Sequence, residues 1–437
     1  MVSSATVYAE RRRRFLEAMG PDAVAILLGA KLVRRSNDTE FPFRQDSDFW
    51  YLTGFTHPHA AAVLRSDGGP PFSLYVEPRD PAAETWTGFR PGVEGALRDF
   101  GADEAHPREE LSKQLPELLR KARRIYHVLG REAEVDAKLV GSLEEMRLRS
   151  RAGFVPASEI ADPRAILHEM RLRKAPEEIE LLRHAVAISA EAHREAARIA
   201  RGGAMEFELE AVIDYTFRRR GGRGPAYTTI VGGGRNATIL HYIANDQKLE
   251  DGSLVLIDAG CEYQGYAADV TRTYPVGGRY TGAAREVYEA VLAAQLEALA
   301  AVRPGTTLPE IHGVALRALV RGMLELGLLR GDPAELIAAE AYRPYFMHST
   351  SHWLGLDVHD AGAYRSGGEP RRLEPGMVFT VEPGLYVAAE DESAPARLRG
   401  IGVRIEDDVL VTESGGEVLT DAIPKDPAEV EDWMRPA

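Results

Sequence analysis

The segment HSTSHWLGLDVHD, residues 348–360, contains three of the chain's twelve histidines, His348, His352 and His359. Apolar residues interleave them, so the segment is neither low-complexity nor a tag. A lone histidine is ordinarily a hydrogen-bonded core residue, but three so close together favour metal binding or catalysis. His348 and His352 have the spacing of the zincin motif HExxH, yet Ser349 occupies the position of its catalytic glutamate. The zincin interpretation is therefore excluded.

Four carboxylates lie in apolar, β-like surroundings: Asp258 in LIDAG, Asp269 in AADVTRT, Glu382 in TVEPG and Glu406 in VRIEDD. Any one alone is ordinarily a strand-end or salt-bridged acid, but a buried carboxylate is costly and must meet a cation. Asp258 and Asp269 are eleven residues apart. This spacing lets two adjacent antiparallel strands, joined by a turn near residues 263–265, present both acids to the same place.

Together with one histidine, these carboxylates form an oxygen and nitrogen ligand set that suits a pair of divalent ions such as manganese, cobalt or zinc. Cys261 is the chain's one cysteine, so neither a disulfide nor a zinc-thiolate site is available. Four negative charges would balance two divalent ions and favour deprotonated water between them. The pattern predicts a two-metal hydrolase.

The overall composition limits the partners. At 437 residues the chain is long enough for two domains, and 44% hydrophobic with 27% charged residues is typical of globular proteins. The net charge of −14 and the pI near 5.5 argue against nucleic acid and anionic membranes, both of which attract basic surfaces. No apolar run reaches the length of a membrane span, about 18 residues.

The N-terminus offers two interpretations. Arg12-Arg13 followed by the apolar residues 23–28 resembles a twin-arginine export signal, but Pro21-Asp22 interrupts it. We expect instead a basic first helix with a solvated charged face, then a strand of a folded domain, in a cytoplasmic protein.

The pattern of elements predicts two domains. The first mixes strands at 61–64 and 72–76 with a helix at 109–124. After the charged stretch 162–174, a long helix is predicted from Pro176, with an apolar stripe of Ile179, Leu182, Val186 and Ala190. The remainder predicts strands at 227–231, 254–259, 267–274, 377–381 and 402–411, and helices at 282–301 and 308–326. Two glycine-led apolar strands that end in an acid, at 252–258 and 375–382, suggest two similar halves.

In their order, five segments closely resemble the pita-bread metallopeptidases, and specifically the aminopeptidase P family: LIDAG, AADVTRTYPVGG, HSTSHWLGLDVHD, MVFTVEPGLYV and GIGVRIEDDVLVT. The resemblance extends to LHYIAND and FPFRQDSDFWYLTGF and so covers nearly the whole chain. It implies an α/β N-terminal domain at 1–172, which serves oligomerisation and substrate access, and an α+β pita-bread catalytic domain at 173–437.

Metal-ligand roles carry over position by position. The resemblance implies that Asp258 is a terminal ligand of one metal and that His352 and Glu382 are terminal ligands of the other. Asp269 and Glu406 match the bridging ligands. The two ions would be manganese by preference, although zinc, cobalt and iron accept the same set.

Further residues match catalytic positions of the family. Glu382 would also be the proton shuttle. His348 and His359 match histidines that assist the substrate carbonyl and the tetrahedral intermediate, His241 matches a third on the opposite side of the cleft, and Arg404 matches an arginine bonded around the ligands. Ser349 departs from a usual glycine; it adds strain if that position needs a positive φ and is neutral otherwise.

The implied activity is hydrolysis of the N-terminal Xaa-Pro bond of a peptide with proline at its second position. Prolidase, which takes only Xaa-Pro dipeptides, is the alternative. Methionine aminopeptidase lacks a large N-terminal domain, and a non-enzymatic scaffold would have no reason to retain every ligand. The resemblance also implies a homodimer or homotetramer, in which Asp38 or Trp86 either reaches a neighbouring active site or has a plain surface role.

Overall fold

A mixed six-stranded sheet is the framework of the N-terminal unit. The computed structural model describes residues 4–435, and the chain divides at 170 into two units. The helices of the first unit are α1 Ser4–Met19, α2 Ser47–Thr53, α3 Pro81–Thr87, α4 Gly92–Phe100, α5 Glu110–Leu118 and α6 Ala133–Leu148, while α7 Arg164–Leu172 ends just beyond the division. Its strands are β1 Ala23–Leu28, β2 Arg34–Ser36, β3 Thr39–Glu40, β4 Ala61–Arg65, β5 Phe72–Val76, β6 Glu104–Pro107, β7 Arg124–His127 and β8 Glu159–Ala161.

The sheet has the order β6-β5-β4-β1-β7-β8, in which β4 is antiparallel to both β1 and β5. The predicted strands at 61–64 and 72–76 are confirmed. The predicted helix 109–124 is wrong at its C-terminal end, because α5 stops at Leu118 and Arg124 begins β7. Ile125 and Tyr126 pair in parallel with β1, so a central sheet position outweighs the local helical pattern.

The basic first helix is confirmed, but its solvated face is only partly correct. Arg13 is exposed between Glu10 and Glu17. Arg12 is buried, with its guanidinium 4.1 Å from the ring centroid of Phe72 and one N–H donated to the Leu52 carbonyl. Planar guanidinium groups stack on aromatic rings, which lets this cation enter the core.

The second unit has six helices and thirteen strands within the described residues. Its helices are α8 Pro176–Ile199, α9 Glu206–Arg219, α10 Gly282–Ala300, α11 Leu308–Glu325, α12 Pro333–Ala338 and α13 Pro427–Trp433. Its strands are β9 Gly224–Pro225, β10 Ile230–Gly233, β11 Leu254–Asp258, β12 Cys261–Tyr263, β13 Tyr266–Ala267, β14 Thr271–Pro275, β15 Arg365–Ser366, β16 Glu369–Pro370, β17 Val378–Val381, β18 Gly384–Val387, β19 Ile401–Arg404, β20 Asp407–Val411 and β21 Gly416–Val418.

Small antiparallel sheets are distributed over two cores in this unit. The sheet β10-β11-β14 packs in a core with α8, α9, α10 and α11, whereas β17 and β20 pack in a second core with the ends of α10 and α11. The long helix predicted from Pro176 is confirmed: Glu178 accepts the Ala175 N–H at 3.0 Å, and Leu182 and Val186 are buried. Within residues 4–435, no helix is both long enough and apolar enough to cross a membrane.

Candidate metal centre

The first two predicted ligands lie at the end of β11 and just before its antiparallel partner β14. Asp258 ends β11 and pairs with Thr271 of the antiparallel strand β14. The predicted strand 267–274 is interrupted at 268–270, so Asp269 lies on an irregular segment rather than on a strand. Here the two backbones nearly touch, because a Cβ on Gly260 would lie 1.7 Å from the Ala268 carbonyl oxygen. Because glycine has no Cβ, residue 260 permits this close approach, which brings Asp269 near the end of β11.

A second antiparallel strand pair, β17 and β20, positions the other two acids. Glu382 follows β17, and Glu406 precedes β20, with Val381 and Asp407 in register. The predicted continuous strand 402–411 is wrong at 405–406, because β19 pairs with β18 whereas β20 pairs with β17. The chain changes sheets at this point, and the Glu406 N–H donates to the Thr271 carbonyl oxygen at 3.0 Å. That bond joins the strand pair β11 and β14 to the strand pair β17 and β20.

His352 lies on an irregular segment beside β17. Its backbone N–H donates to Thr380 Oγ1 at 3.1 Å, and its carbonyl accepts the Thr380 N–H at 2.9 Å. Its Nδ1 lies 3.1 Å from the Trp353 carbonyl oxygen, so this nitrogen carries the proton. When a cation replaces the proton on Nε2, the lone pair of Nε2 would face the acids, which is the orientation that a metal-binding imidazole needs.

Three predicted ligands meet at one point. Ligand atoms of Asp269, His352 and Glu406 all lie within 4.8 Å of one another. His352 Nε2 is 3.3 Å from Asp269 Oδ2 and 3.7 Å from Glu382 Oε1. The structure thus brings three predicted ligands, Asp269, Glu382 and Glu406, to the imidazole of a fourth, His352.

The fifth predicted ligand, Asp258, lines the same cavity but is engaged by protein groups. Its Oδ2 accepts an N–H of Arg404 at 2.5 Å, and its Oδ1 accepts the Tyr227 hydroxyl at 2.6 Å. Arg404 also donates to Thr271 Oγ1, and this hydroxyl donates to Glu406 at 2.5 Å. These bonds orient the carboxylates and leave further lone pairs on their oxygens for a cation.

The electrostatics of the cluster fit a bound cation. Burial and the neighbouring carboxylates raise the pKa of Glu406 well above its ordinary value, and burial raises the pKa of Glu382 to about 7. Burial also raises the pKa of Asp258 despite Arg404. For His352, burial alone would lower the pKa, but the bond to Asp269, the charges of Asp269 and Glu382 and the bond to the Trp353 carbonyl together outweigh it and raise the pKa to about 9. Crowded buried acids with too little positive charge are the ligand set that divalent ions stabilise, and the donors present fit such ions.

The three remaining predicted histidines all line a cavity of about 1100 Å³ whose wall includes all five predicted ligands. His348 is held firmly: Nε2 lies 2.9 Å from the Tyr386 hydroxyl, and Nδ1 donates to the Ser349 carbonyl oxygen at 2.8 Å and lies 3.7 Å from Glu382 Oε2. Burial and the charge of Arg404 lower the pKa of His348 to about 4. His359 is exposed, with its ring 4.4 Å from that of His352, and His241 is exposed on the loop after β10.

Some residues of the site were not predicted. Tyr227 donates to Asp258, and Tyr386 is hydrogen-bonded to His348 and Arg404. In the sequence, a tyrosine in an apolar, strand-like segment resembles an ordinary core residue. The backbone at Ser349 does not have a positive φ. The prediction that serine at this position adds strain is therefore wrong, and the change from glycine is neutral for the backbone.

The chain belongs to metallopeptidase family M24, whose model matches residues 180–413. Residues 8–126 match the aminopeptidase P N-terminal domain. The chain is 48% identical to the Xaa-Pro aminopeptidase of Escherichia coli K12, over 98% of this chain and 97% of that protein. These matches confirm the resemblance to aminopeptidase P and, with it, the α/β N-terminal and pita-bread C-terminal fold.

Solved structures of aminopeptidases from this family have the same fold as this chain. The Pseudomonas aeruginosa aminopeptidase PepP superposes with a TM-score of 0.95 at 44% identity, covering 98% of both chains. Zinc-substituted E. coli aminopeptidase P in complex with product superposes with a TM-score of 0.94 at 47% identity, covering 99% of this chain and 98% of that one.

Proposed function

We propose that this metallopeptidase is an Xaa-Pro aminopeptidase, which removes the first residue from peptides that have proline second. The observation that carries the proposal is the cluster of Asp269, His352 and Glu406, with Glu382 beside it, in the wall of a cavity of about 1100 Å³. Full-length similarity to E. coli Xaa-Pro aminopeptidase supports the same substrate class.

The proposal places two divalent ions among Asp258, Asp269, His352, Glu382 and Glu406. When bound, such ions polarise the scissile carbonyl and lower the pKa of water. Manganese is the proposed native metal, and the zinc-substituted relative supports a site that accepts several ions. Arg404 and Tyr227 would hold Asp258 in its ligand orientation through their bonds to its two oxygens.

The residues of the cavity then divide the chemical work. Glu382 would take a proton from the attacking water and deliver it to the proline nitrogen, which must be protonated to leave as an amine. His348 would assist the substrate from a fixed position, because its Nδ1–H donates to the Ser349 carbonyl and its Nε2 accepts from the Tyr386 hydroxyl; a ring N–H would reach the substrate only by exchanging one of these bonds. His359 and His241 would donate to substrate carbonyl oxygens, as their exposed imidazoles in the cavity wall suggest.

Prolidase activity is the second candidate. A cavity of about 1100 Å³ has room for residues beyond a dipeptide, which favours the longer substrate. The test is steady-state cleavage of an Xaa-Pro-Xaa tripeptide beside the matching Xaa-Pro dipeptide, with manganese-reconstituted protein. Release of the first residue from the tripeptide is expected, whereas turnover of the dipeptide alone would establish prolidase.

We further propose that the N-terminal domain, assigned to 1–172, builds a homodimer or homotetramer in the cytoplasm. Trp86 is 88% exposed and Phe89 is 85% exposed, which is unusual for large aromatic side chains of a monomer and supports a subunit interface. Asp38 lies exposed on the turn between β2 and β3 and keeps both of its predicted alternatives. Sedimentation analysis of the intact chain tests the assembly.

A further inference from the structure

His241 has no hydrogen bond of its own within residues 4–435, although its imidazole lies in the cavity wall. Among the other histidines of the cavity wall, His348 is hydrogen-bonded to the Tyr386 hydroxyl, and His359 packs against the ring of His352. An exposed side chain without a partner takes its position from its backbone. The orientation of His241 therefore depends on what holds the segment that follows β10.

One carboxylate holds that segment from both sides. Glu206, the first residue of α9, is fully buried. Its Oε1 accepts the Gly233 N–H at 2.7 Å and the Asn236 side-chain amide at 3.0 Å. Its Oε2 accepts the Tyr242 hydroxyl at 2.8 Å and the Gln247 N–H at 2.9 Å.

These four donors use all the acceptor positions of the carboxylate, and all come from residues 233–247. Among the described side chains, no cation forms an ion pair with Glu206, so its charge is balanced by oriented dipoles alone. Four hydrogen bonds to one buried ionised group are strong and jointly directional.

Tyr242 is the nearest of these anchors to His241, because the two are adjacent in sequence. Its hydroxyl also lies 3.3 Å from Asp246 Oδ1. Further along the same segment, Asn245 is fully buried and has a φ of 48°. Its side chain accepts the Val231 N–H and donates to the Thr229 carbonyl. The chain is therefore held at Tyr242, immediately after His241, and again at Asn245, four residues after it.

We propose that Glu206, acting through the Tyr242 hydroxyl, is a positioning residue that sets the orientation of His241 in the substrate cavity. This inference rests on the proposed peptidase function for its catalytic consequence, but the anchoring itself is independent of that function. Glu206 is not catalytic, because it lies outside the cavity wall and touches no reacting group.

Tyr242→Phe is the cleanest perturbation, since it removes one hydroxyl and keeps the ring. Tyr266→Phe is its matched control: Tyr266 also donates to a buried carboxylate, Glu178 Oε1 at 2.7 Å, but does not line the cavity. Glu206→Gln perturbs the anchor from the other side, because an amide nitrogen would face donors where an oxygen accepted two bonds.

We expect Tyr242→Phe to lower kcat for the tripeptide about tenfold with little change in KM, because a misplacement of about 1 Å can cost about 100-fold and the loss of one anchoring bond should displace His241 by less. In the His241→Ala background the same change should cost less than twofold. Tyr266→Phe should stay within twofold of the parent. Equal losses in both backgrounds would overturn the proposal, because Tyr242 would then act independently of His241.

Hydrogen exchange of the metal-loaded protein supplies a readout that does not need activity. In Tyr242→Phe and Glu206→Gln, the amides of residues 233–247 should exchange faster than in the parent and in Tyr266→Phe. Unchanged exchange in both variants would refute the anchoring. If the parent itself cleaves no Xaa-Pro peptide, the proposed function fails, and the exchange result alone decides whether Glu206 anchors this segment.

Discussion

Asp360 follows His359 and is the centre of a buried ion cluster, so its charge should matter greatly to stability. Its Oδ1 accepts an N–H of Arg171 at 2.5 Å, and its Oδ2 accepts from Lys174 at 3.0 Å. The side chains of Asp360 and Lys174 are both 1% exposed. Asp360→Asn keeps the shape of the side chain but leaves the two cations without this counter-charge.

The magnitude follows from burial. Removing one partner of a buried ion pair costs about 3–5 kcal/mol, because the remaining charge is left desolvated. The lower value corresponds to a fall in melting temperature of roughly 6–12 °C for a unit of this size. Asp421→Asn is the control: Asp421 is 84% exposed and 3.7 Å from Lys425, so its loss should change the free energy of unfolding by less than about 0.5 kcal/mol.

The pH dependence has a defined sign. Burial alone would raise the pKa of Asp360, but Lys174 and Arg171 outweigh it and the pKa is lowered. A carboxylate with a lowered folded pKa stabilises the protein above its unfolded pKa, about 3.9, and loses that contribution as pH falls through the folded value. The difference between parent and Asp360→Asn should therefore be constant from neutral pH down to about 5 and shrink below about 4.

Calorimetry of the metal-loaded protein at fixed metal concentration, followed over pH, measures this difference. The transition of the C-terminal unit is the relevant one, because a two-unit chain need not unfold in one step. A variant within 1 kcal/mol of the parent at neutral pH, or a difference that persists unchanged at pH 3, would refute the reasoning.

Three further outcomes are expected. Asp269→Asn should bind less metal than the parent by elemental analysis, because it removes a carboxylate from the Asp269, His352 and Glu406 cluster, and equal metal content would contradict that assignment. Arg404→Lys should lower kcat/KM about 10–100-fold, because an ammonium cannot reach Asp258, Thr271 and Tyr386 together, and a loss below twofold would exclude the orienting role. Trp86→Ala should weaken self-association in sedimentation velocity without changing the melting temperature, and an unchanged oligomer would leave Trp86 a surface residue.

Local patterns were sufficient for much of the fold. The apolar strand ending at Asp258 and the helix beginning at Pro176 are each specified by a few neighbouring residues, and both are found as predicted. The convergence of Asp269, His352, Glu382 and Glu406 was predictable because carboxylates in apolar strands are costly unless a cation compensates them. The family resemblance added the prediction that His352, among the three histidines of residues 348–360, is the metal ligand.

The missed features depend on contacts between distant parts of the chain. The break before Asp407 arises because β19 and β20 join different sheets, and the Thr271 to Glu406 bond spans 135 residues. No periodicity within residues 402–411 encodes that change. Arg12 was assigned to a solvated face because only the folded chain places Phe72 beneath its guanidinium. The role of Glu206 was likewise invisible, since an acid at a helix start is ordinarily a surface residue.

The most direct test of the proposed two-metal aminopeptidase function is a titration of metal-free protein with manganese. Bound metal and release of the first residue from an Xaa-Pro-Xaa tripeptide are measured on the same samples. We expect activity to be absent without metal, to rise as the ions bind and to level off at two per chain, with His352→Ala showing reduced metal content and activity. Full activity of the metal-free protein, or saturation with metal without any release of the first residue, would contradict the proposed metal-dependent aminopeptidase function.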